Sequence, residues 1–255
     1  MQEVNFNYNG KNFIVVGASS GMGKQIALEL SQAGANVLCL ARRVEIMEQM
    51  KSEQGTGKIF PAFVDVTTAT SKDWDAVIKN FVGEHGKIHG GVYTAGITGL
   101  TAFRNWNEEL AKKIADTSYW GMLKFLQSAT KKRFSLDGAS FVAFSSNAAY
   151  LASQGLMIYS SIKSAVQVAV KTIAKEISPN GQRVNTISPG WVKTEMTENY
   201  SAEFGVPQGA EKTFLLGDGT ADKVSGMVLF LLSDRADWIT GTDIVIDGGQ
   251  LLGAM

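Results

Sequence analysis

Cysteine is almost missing from this chain. Cys39 stands alone, which excludes an internal disulfide and any multi-cysteine metal site and fits a reducing compartment. Histidine is nearly as scarce: His85 and His89 lie in a glycine- and lysine-punctuated stretch with no other His or Cys to complete a coordination set, so no metal site is expected. Net charge is absent too. With 24 Lys and Arg against 24 Asp and Glu, no field draws the molecule to nucleic acid or an anionic bilayer. Long apolar runs are lacking: 227–232 is typical, far short of a membrane span, and the first dozen residues have no apolar core of a secretion signal. A soluble, cytoplasmic protein acting on a small molecule is expected, with neither nucleic acid nor membrane as partner.

What is present is a regular alternation. Apolar runs of strand length, at 13–16, 37–40, 59–64, 88–94, 140–144, 183–187 and 243–246, are separated by helical patterns beginning near Met22, Val44, Lys72, Asn107, Met157 and Ala221. This is the signature of βαβ units, and continuous rather than alternating apolar runs mark a sheet buried on both faces. The spacing predicts an α/β fold: one Rossmann-type, doubly wound domain over 1–255, its seven-stranded parallel sheet covered by helices on both faces. The stretch 191–219 has weak periodicity and scattered glycines after a strand end, and is expected to be a mobile substrate-binding cover. The helix over 157–177 is apolar on more than one face, from Ile158 to Ile177, which predicts a helix-to-helix contact in a homodimer or homotetramer.

Chemistry-bearing residues cluster in three places. The first strand runs into Gly17-Ala18-Ser19-Ser20-Gly21-Met22-Gly23 and then a helical pattern; such a turn lets backbone approach a pyrophosphate, and the helix N-terminus adds free N–H groups. At the end of the second strand a carboxylate would grip a ribose 2′-hydroxyl, whereas arginine pairs with a 2′-phosphate. Ala41 is followed there by Arg42 and Arg43, and the nearest acid, Glu45, lies a turn into the next helix, so NADP(H) is expected over NAD(H). Solvated surface charges are the competing reading of these arginines. Third, Tyr159 and Lys163, four residues apart, share a helix face. A neighbouring ammonium favours the phenolate, so the pair reads as an acid tuned to exchange a proton near neutral pH. A plain surface pair has the same spacing; Ser146, thirteen positions earlier, weighs against that reading.

With Gly17, Gly21 and Gly23, Asp65-Val66, Ala95-Gly96, Ser146 with Tyr159 and Lys163, Asn185 to Gly190, and Ile239-Thr240-Gly241 leading to Asp247-Gly248-Gly249, the chain resembles the classical short-chain dehydrogenase/reductase family, and particularly its β-ketoacyl-acyl-carrier-protein reductase-like branch. The resemblance implies that Tyr159 is the proton donor in reduction, that Lys163 lowers its pKa and binds the nicotinamide ribose, and that Ser146 holds the carbonyl oxygen. It implies that Asp65 and Val66 flank the adenine and that Pro189, Gly190, Val192 and Thr194 contact the nicotinamide carboxamide. Three departures from the family pattern stand out. Val16 stands where threonine is usual, Tyr93-Thr94 replaces a pair of asparagines whose bonds brace the central strands, and Ser118 takes the place of a helix asparagine that holds a relay water. The bracing bonds are expected to come from elsewhere, and proton delivery to be slower.

The leading expectation is an NADP(H)-dependent ketone reductase, 3-oxoacyl-thioester reductase-like. Alternatives are a reductase of a steroid, sugar or secondary-metabolite ketone, and a nucleotide-binding sensor without turnover. Tyr150, Leu151, Leu156, Met157, Trp191, Met196, Tyr200, Phe204 and Phe214 are expected to line an apolar substrate pocket.

Overall fold

The computed structural model describes residues 6–205 and 214–253. Seven parallel strands form one sheet: β1 (Asn12–Val16), β2 (Asn36–Ala41), β3 (Lys58–Phe63), β4 (Ile88–Tyr93), β5 (Ser135–Phe144), β6 (Arg183–Pro189) and β7 (Asp243–Ile246). Their spatial order is β3-β2-β1-β4-β5-β6-β7. The chain thus winds outward from β1 in one direction, then returns to start again at β4. At that reversal the crossovers leave on opposite sides, opening a crevice at the C-terminal ends of β1 and β4.

The helices are α1 (Gly21–Gln32), α2 (Val44–Gln49), α3 (Ser71–His85), α4 (Glu108–Ala115), α5 (Gly121–Ala129), α6 (Ala148–Leu151), α7 (Met157–Ile177), α8 (Glu195–Phe204) and α9 (Ala221–Leu232). They cover both faces, because alternate residues of each strand point to opposite sides. Phe13 and Val15 of β1 pack with Ile26 and Leu30 of α1 and Val228 of α9. Ile14 and Val16 pack instead with Trp74 and Ile78 of α3, Phe125 of α5 and Val170 of α7.

β6 is buried at all seven positions although its sequence is largely polar. Its side chains bond inside the fold, which removes the penalty for burying them: Arg183 Nη2 donates to Ser233 O at 3.1 Å, Asn185 Nδ2 to Ile239 O at 2.9 Å, and Ser188 Oγ to Asp243 Oδ1 at 2.9 Å.

Two boundaries differ from the sequence pattern. β5 begins at Ser135, not Ser140; the register jumps from Ile88↔Ser135 to Gly90↔Ser140, so an irregular, exposed stretch at 136–138 interrupts the apolar run. The single helix expected from Asn107 is three segments, with a π turn at Asp116–Trp120 between α4 and α5. A π turn frees a backbone carbonyl. Tyr93 Oη donates to Thr117 O at 2.5 Å, and a Cβ on Gly121 would fall 2.2 Å from that hydroxyl.

α7 buries Lys163, Val166, Val170, Ala174 and Ile177 and leaves Val168 63% exposed, so part of its apolar circumference remains uncovered in the single chain. Within 191–219, α8 and an isolated bridge between Val192 and Gly219 are formed, and 206–213 lie outside the described residues.

Candidate active site

A cleft of about 800 Å³ opens at the β1/β4 crevice. Of the residues singled out in the sequence, Gly17, Ser19, Ser20, Gly21, Met22, Gly23, Arg42, Arg43, Asp65, Val66, Ala95, Gly96, Ser146, Tyr159, Pro189, Gly190, Val192 and Thr194 all line it; Lys163 does not.

The loop after β1 is held by backbone packed on backbone. Gly17 sits at φ +86° with a hypothetical Cβ only 2.6 Å from Thr94 Oγ1, and a Cβ on Gly23 would lie 2.3 Å from Gly17 O. No side chain fits at either point without moving main chain. Thr94 Oγ1 donates to Val16 O at 2.8 Å, so the brace between the central strands comes from the residue that replaced asparagine, not from elsewhere as expected. Ser20, the N-cap of α1, makes no side-chain capping bond, whereas Thr70 and Thr194 cap α3 and α8 with reciprocal bonds. An uncapped helix start facing a cleft offers its N–H groups to an anion. The tight glycine cradle, that free helix end, and two arginines at the tip of β2 together fit a dinucleotide phosphate chain.

Ser146, just beyond β5, and Tyr159, at the start of α7, meet in the cleft wall. The Ser146 hydroxyl accepts from Ala148 N at 3.2 Å, and both Ser146 and Tyr159 line the cleft. Tyr159 keeps access to the cleft, yet the protein packed around its hydroxyl raises its pKa, the Ser146 bond opposing this in part. The net lowering expected for this phenol is therefore corrected: its own desolvation is the largest influence and raises it. Lys163 is desolvated as well: it is 4% exposed, burial lowers its ammonium to about 8, and its Nζ donates to Phe144 O at 2.9 Å. Nζ lies 5.6 Å from the centre of the Tyr159 ring. A phenol held protonated is the form that donates a proton.

Ser118 Oγ is buried and has no hydrogen-bond partner. A Cβ on Gly96 would lie 3.4 Å from both Ser118 Oγ and Lys163 Nζ, so the two polar groups face the same small space.

Only part of the expected substrate lining is present. Met196, Tyr200 and Phe204, all on α8, line the cleft; Tyr150, Leu151, Leu156, Met157, Trp191 and Phe214 do not. Tyr150 turns its hydroxyl to Asp243 Oδ2 at 2.7 Å, and Trp191 packs edge-on against Tyr200 with ring centres 5.8 Å apart. Asn199 and Glu203 add polar groups that sequence reasoning missed, as it missed α8 itself. It also missed Glu195, which pairs with Arg43 across 152 residues of chain; the only local signal was an acid directly after the capping Thr194. Among the described residues, no cluster of three His, Cys, Asp or Glu side chains is arranged to hold a metal, and no helix is long and apolar enough to cross a membrane.

Residues 17–250 match the family model described as Enoyl-(Acyl carrier protein) reductase. The chain is 31% identical to the 3-oxoacyl-(acyl-carrier-protein) reductase FabG of Buchnera aphidicola, over 95% of this chain and 98% of that protein. It is 30% identical to the D-erythrulose reductase of Gallus gallus, over 98% and 99% respectively. Among solved structures, a short-chain type dehydrogenase/reductase from Mycobacterium marinum superposes with a TM-score of 0.88 at 31% identity, covering 97% of this chain and 98% of that one.

Proposed function

The chain belongs to the short-chain dehydrogenase/reductase family, in its FabG-like branch, and from that premise we propose that it is an NADP(H)-dependent reductase of a ketone, run in reverse as a secondary-alcohol dehydrogenase. The observation that carries this reading is that Ser146 and Tyr159 line the same cleft as a phosphate-type glycine cradle. When bound, the nicotinamide supplies or accepts the hydride.

The chain's own residues do the rest. Gly17, Ser19, Ser20, Gly21, Met22 and Gly23 would hold the pyrophosphate, Arg42 and Arg43 the 2′-phosphate, and Asp65 and Val66 the adenine end. Ala95, Gly96, Pro189, Gly190, Val192 and Thr194 would shape the nicotinamide end. As a ketone is reduced, negative charge grows on its oxygen, and a donor already in place stabilises that charge without reorganisation. Ser146 and Tyr159 act there as paired donors, and Tyr159 gives up its proton. An ammonium behind the phenol then stabilises the tyrosinate as it forms, which is the role assigned to Lys163.

Support for the 2′-phosphate is the arginine pair, with no acid among the residues directly following β2 in the chain. For substrate, the named relatives include a 3-oxoacyl-thioester reductase and a keto-sugar reductase at nearly equal identity. We favour the thioester, since Met196, Tyr200 and Phe204 present an apolar wall to an acyl chain. A soluble, cytoplasmic homo-oligomer joined through α7 completes the proposal, supported by the uncovered apolar part of that helix.

The test is NADPH oxidation over 3-oxoacyl thioesters, keto sugars, steroids and small cyclic ketones. Turnover with one class is expected, and Tyr159→Phe should lower kcat by about 10³-fold, within the usual span for a lost general acid, while nucleotide affinity is kept. Nucleotide binding with no turnover on any ketone would favour the sensor reading instead.

A further inference from the structure

Resting on the reading of the cleft as an NADP(H) site, we propose that Glu195 is a specificity-determining residue: its carboxylate occupies the guanidinium fork of Arg43 that a 2′-phosphate would take, and so holds down the preference for the phosphorylated dinucleotide. Arg43 follows β2, the position from which a side chain reads the ribose 2′ group in a doubly wound sheet. Its Nη1 and Nη2 donate to Glu195 Oε1 and Oε2, each at 2.8 Å, a two-pronged arrangement that suits carboxylate and phosphate alike. Its Nε points at Ser19 Oγ, 3.4 Å away, so the pair sits over the glycine loop.

The start of α8 is pinned where this contact needs it. A Cβ on Gly21 would lie 3.2 Å from Thr194 Cγ2, and Thr194 accepts from Thr197 N as the N-cap. Glu195 is the first helical residue after that cap, so its reach to Arg43 is set by backbone and not by a flexible tail. The side chains are 39% and 52% exposed, so the pair is displaceable. Arg42, beside it, lines the cleft and has no salt-bridge partner among the described residues. The two arginines therefore differ: one is available to an incoming phosphate, and the other is already satisfied by an internal anion. A dinucleotide lacking the 2′-phosphate makes no use of the Arg43 fork, so freeing that fork should help it less.

The fragments 2′,5′-ADP and 5′-AMP isolate the 2′-phosphate, and their dissociation constants by titration calorimetry give a readout independent of turnover. Glu195→Gln removes the charge and keeps the shape and the Thr194 cap. It is expected to tighten 2′,5′-ADP about fivefold, the scale of one exposed ion pair, and 5′-AMP by less than about twofold. The gain should vanish in the Arg43→Ala background. Equal gains for both fragments, or none for either, overturn the assignment to Glu195. If the wild-type chain prefers 2′,5′-ADP and Glu195→Gln leaves the ratio unchanged, only this inference falls. If both proteins bind the two fragments equally, the NADP(H) reading falls with it.

Discussion

At its nucleotide end the cleft wall is backbone held against backbone, whereas at its far end Met196, Tyr200 and Phe204 of one helix, α8, supply the wall with side chains. The first region has no slack: added methyl groups at Gly17 or Gly23 would meet atoms at 2.6 Å and 2.3 Å. The second has room, with Met196 and Phe204 38% and 40% exposed. A site built this way keeps one end of its ligand constant and lets the other vary. Main chain cannot be retuned residue by residue, while side chains on a peripheral helix can.

The sharpest way to break that comparison is Gly23→Ala. The added carbon is forced onto Gly17 O and Thr94 Oγ1, so nucleotide affinity should fall by more than about tenfold and stability by roughly 1–3 kcal/mol, measured by calorimetry and urea melts. A variant that folds and binds like wild type would show that the loop yields and the contrast is unreal.

Lys163 lies between the two regions and carries a pH signature. Burial lowers its ammonium to about 8, against about 10.4 in the unfolded chain. Between those values the unfolded state binds more protons, so this group's contribution to stability rises with pH through that window. Its cost is fully present below about 8 and gone above the unfolded value. Lys163→Met should therefore be more stable than wild type at pH 7, by up to about 3 kcal/mol, and that advantage should shrink by pH 10. A difference that stays constant with pH would mean the lysine is not buried as a charge.

At the far end, Phe204→Ala should raise the KM for an apolar ketone about tenfold, from lost burial of the ring, and leave NADPH affinity and unfolding midpoint unchanged. Coupled losses of nucleotide affinity would merge the two regions into one. The smallest effect is expected at Ser118. Its unpartnered hydroxyl faces the same space as Lys163 Nζ, so Ser118→Ala should slow turnover a few-fold and alter the solvent isotope effect, with Ser118→Asn moving both the other way. If neither variant changes either quantity, Ser118 takes no part in proton supply.

Much of this was legible in the chain itself where the signal is local. The strand β1, the glycine loop and α1 follow one another within 21 residues, and the loop's demand for glycine is written in its composition. Tyr159 was singled out by its four-residue spacing from Lys163, and Ser146 by its place thirteen positions earlier together with the family resemblance. The substrate end was harder to read. Tyr150 and Trp191 look like lining by composition, but Asp243, 93 residues away, takes the first, and Tyr200 of α8, an element the sequence pattern did not reveal, packs against the second. The bulge in β5 and the π turn were hidden for a related reason. Each is stabilised by a neighbour in space: Ile88 pairs with Ser135, and Tyr93 bonds to Thr117.

The sequence by itself determined the succession of strands and helices and the strand, glycine loop and helix order at the N-terminus, since periodicity and turn chemistry act over a few residues. Only the tertiary structure decided that Arg43 is held by Glu195, that Lys163 turns to Phe144, and that burial raises the Tyr159 phenol. Those outcomes depend on burial and on ion pairing between segments far apart in the chain, and desolvation and charge contact exist only once the fold has brought them together.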